Sequence, residues 1–484
     1  MSFSTCFHHS CHLIKLIVPL LVSKLKMSLE LDPGSNCPAA DLEMADAAAE
    51  VEGGLLEWFS AQGGVVDGVQ MQWSSITERS LVTSGEVSEG TEVLTIPLGL
   101  VVGARDAADT PLGKALLNVA RQHVAVQRDL DGLLLTMWLL QERASSRSKW
   151  TKYIASLPQW FPGMPLNYTQ EELEICVAGL MSLEKHLHST HQKLDEQWRI
   201  IQYIAATQSV QVAREHFLWA RFVTFSRTFS KKDKLQEALL APLADMINHA
   251  PGAGVNCAWE YRSEKGFVIV TTRALAMGEE LFIDYGSKPN AMFFSHYGFV
   301  EMGNPRDVIH VTLPSFVTQS AMSKGLSLQI DGAKPAETEV VQSVLAAARG
   351  FVLRTHQGAR QGQMLEAELE ALALKSLLDS FETVSKIYEP PLLCPSSCTS
   401  FRESQLALLD TWTRFIRSAQ SFLDGSWPPN SSRLPERFEL HARLYFGAWL
   451  RTIPKELQSG KNAIEAFAYG DISHNDMSDF EKIN

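Results

Sequence analysis

Two stretches suited to short strands stand on either side of a long block suited to helices, and this arrangement constrains the chain more than any other feature. From Val65 to Val102, apolar and β-branched residues alternate with polar ones, broken by Gly68, Gly85, Gly90 and Pro97, as in strands and hairpins. From Thr110 to Phe222 the period becomes helical, with apolar residues three and four apart over Leu130–Glu142, Thr169–Lys185 and Lys193–Ala206. Thr169 and Glu172 have the spacing of a capping box, and Pro158, Pro162 and Pro165 mark a loop between helices. Strand text resumes at Val255–Thr272 and Leu281–Tyr285. Short strands need partners, so the flanking stretches are expected to form one discontinuous β-rich domain interrupted by a helical insert.

From Asp331 to Leu457 the pattern is helical again, over Val340–Leu353, Gln363–Ser385, Glu403–Leu423 and Pro435–Thr452, with a loop at Pro390–Ser400. The expected class is α+β. A leader over 1–50 precedes a β-rich domain over 51–305, with its insert at about 110–222. An all-α domain follows over 306–470, with a tail over 471–484. A length of 484 residues suits two such units.

A formal net charge of −12 argues against nucleic acid as a partner, since phosphate contacts need clustered Lys and Arg. The acidity suits either basic protein segments or plain solubility. Seven scattered cysteines imply reduced thiols in an intracellular compartment, cytoplasm or nucleus, and Cys394 with Cys398 lacks a second pair for a zinc site. Before Glu30 the chain has no acidic residue, which suits a plastid or mitochondrial presequence or an extension upstream of Met27. The apolar run Leu16–Val22 is too short to span a membrane, which takes about 20 residues.

Two segments carry chemistry: Leu243-Ala-Asp-Met-Ile-Asn-His249 and Gly278-Glu-Glu-Leu-Phe-Ile-Asp-Tyr-Gly286. Together they resemble the signature stretches of SET-domain protein methyltransferases. Trp150, Tyr153, Leu157-Pro158, Phe217-Leu218-Trp219, Ser226-Arg227-Thr228-Phe229, Asn290-Ala291 and Tyr297-Gly298-Phe299 resemble the Rubisco lysine methyltransferase-like branch. The resemblance runs over roughly 55–460 and is strongest over 215–305. It implies a knotted SET domain with a helical insert, a helical domain that binds the protein substrate, S-adenosylmethionine as cofactor, no metal and a monomer. It also implies that Arg227 pairs with the cofactor carboxylate, backbone around Glu78-Arg79-Ser80 takes its ammonium, and Asn248 and His249 line its methionine and adenine regions. An Arg suits a carboxylate because its charged fork is planar.

By the same resemblance Tyr285 is the catalytic residue and also touches the cofactor, while Phe229, Asp245, Trp259 and Tyr297 contact the substrate. Taken singly, each has an ordinary structural reading: a surface Arg, a capped turn, or core aromatics. The first motif departs from the family, because Ser80 stands where a glycine is expected. Two rivals remain to lysine N-methylation of a non-histone protein. One is histidine N-methylation, in whose branch Asn replaces Phe229 and Trp replaces Ala244; the other is a catalytically silent SET scaffold.

Overall fold

The alternation that begins at Val65 folds because each short strand buries one face against a later one. In a computed structural model, the structure describes residues 54–73, 79–208, 210–231, 237–311, 326–329, 336–360, 366–391, 394–425, 445–450 and 452–453. The leader, Glu78 and the tail lie outside them. Strands β1 (Val65–Val66), β2 (Val69–Trp73), β3 (Arg79–Thr83), β4 (Glu92–Pro97) and β5 (Val102–Gly103) precede the helical insert. After it come β6 (Phe229–Ser230), β7 (Ala238–Leu240), β8 (Asn248–His249), β9 (Cys257–Arg262), β10 (Gly266–Thr271) and β11 (Phe282–Ile283).

The strands on the two sides of the insert pair with each other, as the flanking patterns require. A four-stranded sheet runs β1-β4-β10-β9, with Ile269 of β10 opposite Leu94 of β4 and Trp259 of β9. Phe267, Val268 and Ile269 are fully buried, so this strand forms the centre of the β-rich core. In a second sheet β7 joins β5 to β6. The two signature segments meet as the parallel pair β8 and β11, with Phe282 opposite Asn248 and Ile283 opposite His249. Asn256 braces this crossing: its side chain donates to Glu280 O at 2.8 Å and accepts from Phe282 N at 2.7 Å.

Within the insert, the helix Leu130–Ala144 buries every residue from Leu133 to Leu140, as befits a helix packed on all sides. The capping box is present, with Thr169 Oγ1 accepting from Glu172 N at 3.2 Å and Glu172 Oε2 accepting from Thr169 N at 2.8 Å. Such a cap contributes about 1 kcal/mol. The helix it starts is shorter than expected. It ends at Val177, and a new helix runs unbroken over Met181–Thr207, where the sequence pattern had suggested a boundary between Lys185 and Lys193. The break falls at Gly179, whose φ of +75° is a left-handed conformation that favours glycine.

Beyond the β-rich part, β12 (Val308–Val311) and β13 (Leu326–Gln329) form an antiparallel ladder in a stretch expected to lead directly into helices. Helices follow over Ala336–Thr355, Glu366–Tyr388 and Ser396–Leu423, so the loop expected at Pro390–Ser400 closes earlier, at Ser396. The Ser396–Leu423 helix docks on the insert. Arg402, buried, donates to Cys176 O at 3.0 Å, Ala178 O at 2.8 Å and Ile387 O at 2.9 Å. Its cation thus satisfies the free carbonyls at the end of the Gln170–Val177 helix, where the helix dipole favours positive charge. Phe401 stacks on Phe294 with centroids 5.2 Å apart, and Gln405 Nε2 donates to Asp307 Oδ2 at 2.7 Å. The chain from Leu55 onward is one compact unit, and the Arg402 bonds to Cys176 and Ala178 and the Phe401–Phe294 stack run across residue 305.

Candidate active site

The β8–β11 crossing delivers its neighbours to one cavity. Its volume is about 460 Å³, and its lining includes Arg227, Phe229, Asp245, Trp259, Tyr285 and Tyr297. Each arrives on a different piece of chain. Arg227 ends the helix Arg214–Arg227, Phe229 opens β6, and Trp259 lies in β9. Tyr285 follows β11, and Tyr297 ends the helix Asn290–Tyr297.

Phe229 and Trp259 form one wall. Their ring centroids are 5.5 Å apart and both pack on Phe267, on which Trp259 stacks at 5.2 Å. Tyr285 and Tyr297 form another, with centroids 5.2 Å apart. The walls are therefore cavity lining and core at once. The Tyr285 hydroxyl donates to Ile247 O at 2.8 Å, and its backbone N donates to His249 Nδ1 at 3.2 Å. Burial pushes the Tyr285 phenol well above its ordinary pKa and that of Tyr297 up to about 12, so both stay protonated near neutrality.

Behind the cavity lies a buried charge cluster. Arg227 Nη1 donates to Asp245 O at 2.5 Å and lies 3.8 Å from Asp245 Oδ2, which accepts from the Tyr153 hydroxyl at 2.9 Å. Burial, then the Arg227 charge, lowers the Arg79 pKa to about 9, with Asp245 opposing. Burial raises that of Asp245, against the pull of Arg227 and of the Tyr153 hydrogen bond. Among the described residues, Arg227 Nε and Asp245 Oδ1 are buried with no hydrogen-bond partner. An unanswered guanidinium N–H beside a cavity suits an anionic ligand group.

Asn248 and His249 lie at the crossing itself. Asn248 Nδ2 donates to Arg79 O at 3.2 Å and to Glu280 Oε1 at 2.8 Å, tying β8 to β3 and to the segment before β11. His249 stacks on Tyr285 with centroids 5.2 Å apart, and its Nε2 lies 3.3 Å from Glu301 Oε2. Arg79 and Ser80 lie in β3, Arg79 buried and Ser80 half-buried, and the backbone of β3 is therefore within reach of Asn248. The structure thus brings Arg79, Arg227, Asn248, His249 and Tyr285 together, with Asp245 held by Tyr153 and Arg227.

Sequence reasoning gave no role to Tyr153, Asn256, Asp284 or Lys288, although the last two line the cavity. Tyr153 was visible only as part of a resemblance. For Asn256 and Lys288 no sequence signal existed, because their roles depend on contacts made after folding.

Residues 78–286 match the family model of the SET domain, so the chain contains a SET domain. Its fold is that of the solved Rubisco LSMT structures. The LSMT SET domain bound to lysine and AdoHcy aligns with a TM-score of 0.54 at 17% identity, over 78% of this chain and 93% of that one. Rubisco LSMT bound to AdoMet aligns equally well, with a TM-score of 0.54. Ribosomal lysine N-methyltransferase set10 of Schizosaccharomyces pombe is 26% identical over 36% of this chain and 32% of its own length. N-lysine methyltransferase setd6 of Xenopus laevis is 23% identical over 53% and 59%. The actin-histidine N-methyltransferase of Mus musculus is 24% identical over 54% and 44%. The chain spans about a third to three-fifths of the length of these curated relatives. Among the described residues, no helix is long and apolar enough to cross a membrane.

Proposed function

We propose that this chain is an S-adenosylmethionine-dependent protein-lysine N-methyltransferase acting on a non-histone protein. The supporting observation is that one cavity joins Arg227, Tyr285 and the aromatic side chains of Phe229, Trp259 and Tyr297, while Asn248 and His249 stand at the adjoining crossing. Relatives that methylate lysine, and a fold found with AdoMet bound, agree with it.

The residues fit the cofactor. Arg227 Nε, buried and unanswered among the described residues, would take its carboxylate. Backbone around Glu78-Arg79-Ser80 would take its ammonium, and Asn248 and His249 would border its methionine and adenine parts. When bound, the cofactor supplies an electrophilic methyl group on a sulfonium.

The chain's own residues would prepare the amine. A lysine has a pKa of about 10.4 in water, and the reaction needs it neutral. Desolvation on entering the cavity would disfavour the charged form, while Tyr297 and Trp259 in its lining would offer ring faces to the incoming cation. Tyr285 would hold the amine in line through a hydroxyl that burial keeps protonated. This is a gain of position rather than acid–base chemistry. Asp245 lines the cavity with its carboxylate engaged by Tyr153 and Arg227, and the amine's proton would be lost to solvent.

Histidine transfer has support from the actin-histidine relative. The apolar Phe229 in the cavity wall favours lysine, because an imidazole target gains from a polar amide at that place. The C-terminal helices would present the protein substrate. Incubation with labelled cofactor and a cell extract, followed by mass spectrometry of the labelled residue, tests the reading. Lysine labelling supports it; histidine labelling, or no cofactor binding at millimolar concentration by calorimetry, overturns it. Tyr285→Phe is expected to lose roughly 100-fold in turnover while retaining cofactor binding.

A further inference from the structure

The cavity already contains a lysine. Lys288 lines it together with Tyr285 and Tyr297. Its side chain folds back over the turn at Gly286, so that Nζ donates to the Tyr285 carbonyl oxygen. Glycine at 286 suits this fold-back. Gly286 has a φ of +93°, and a Cβ there would stand 3.3 Å from the Lys288 Nζ. From this position the ammonium is 5.6 Å from the centre of the Tyr297 ring, within the range of cation–π attraction.

These are the provisions a methyl-accepting site makes for a substrate lysine: a carbonyl acceptor, an aromatic face and partial burial. Burial also lowers the Lys288 pKa, against the pull of Asp284, which raises the share of neutral amine. We propose that Lys288 is a substrate of its own chain, methylated in cis within the cavity that accepts the lysine of other proteins. The inference rests on the methyltransferase reading above.

Chemically, Lys288 first loses a proton to solvent. Its neutral Nζ then gives its lone pair to the methyl carbon of S-adenosylmethionine. The N–C bond forms as the C–S bond breaks, the bonding pair stays on sulfur, and S-adenosylhomocysteine leaves. The positive charge passes to nitrogen as a methylammonium. The added methyl keeps the cation but fills space beside Tyr297, so the modified side chain competes differently with an incoming lysine.

Two measurements on the full chain test this. Competition labelling with acetic anhydride, without cofactor, reads the titration of Lys288; it should titrate below the exposed lysines. Incubation with labelled S-adenosylmethionine, over a tenfold range of protein concentration and with a cell extract in parallel, is then followed by peptide mapping. The expected result is a methyl group on Lys288, at a fractional rate independent of protein concentration, that disappears in Tyr285→Phe. Labelled extract proteins with an unmodified Lys288 overturn the proposal and leave the enzyme reading standing. A fractional rate proportional to protein concentration overturns the cis assignment. No label in either arm overturns the proposal and the reading beneath it.

Discussion

Two arginines on one helix, Arg221 and Arg227, are put to opposite uses. Arg221 is fully buried, donates from Nη1 to Thr136 Oγ1 at 3.2 Å and Thr224 Oγ1 at 3.1 Å, and pairs with Asp129. Asp129 is also 3.0 Å from Lys193, so this end of the helix is locked to the Leu130–Ala144 and Met181–Thr207 helices. Six residues on, Arg227 reaches out of the same helix to the cavity. Both are basic residues in a helical context, and nothing local separates them. What separates them is what each faces: one closed core, one opening.

The largest effect should come from the closed end. Arg221→Ala leaves Asp129 without its main partner, and breaking a buried pair costs about 3–5 kcal/mol. Urea unfolding would read the loss directly. If the midpoint barely moves, the pair is not what anchors the helix.

Next is acid sensitivity at the same end. The His296 ring lies 4.6 Å from that of Phe225, over which Arg221 also lies at 4.3 Å. Burial, then the nearby His186 and Arg221 charges, lowers its pKa from 6.5 to about 4. The unfolded chain therefore binds a proton between these two pH values that the folded chain refuses. The stability contribution is full above about pH 6.5, falls as pH drops toward about 4, and changes no further below. Its size is on the order of 3 kcal/mol. His296→Gln should flatten that part of the curve of unfolding free energy against pH; an unchanged slope would sink the assignment.

The smallest effect on stability, and the sharpest on binding, belongs to Arg227. Arg227→Lys keeps the charge but loses the fork. It should weaken S-adenosylmethionine binding by about 1.5–3 kcal/mol, the worth of a charge-assisted hydrogen bond, with little change in Tm. Calorimetry with unchanged affinity would move Arg227 into the structural class with Arg221 and erase the contrast.

Much of the fold was legible in the sequence because its signals are local. The alternation over Val65–Val102 and Val255–Thr272 gave strands that pair across the insert, and the Thr169–Glu172 box marked a helix start that is present. Where sequence reasoning slipped, a local cue was outweighed. Helical spacing was expected to end at Lys185 and resume at Lys193, yet Met181–Thr207 is one long helix with Leu187 buried between them, and the break belongs to Gly179. The ladder Val308–Val311 with Leu326–Gln329 was missed because each strand is short and depends on its partner.

Chain order and periodicity thus determined that short strands must close around a helical insert, since an isolated hairpin cannot bury a face alone. The motifs named the residues worth watching. Only the tertiary structure decided that Asn248 and Phe282 lie opposite each other, that Asp245 turns inward to Tyr153 and Arg227, and that Lys288 folds into the cavity. Those outcomes depend on burial and on partners distant in the chain, and a sequence lists neighbours along the backbone, not those brought together by packing.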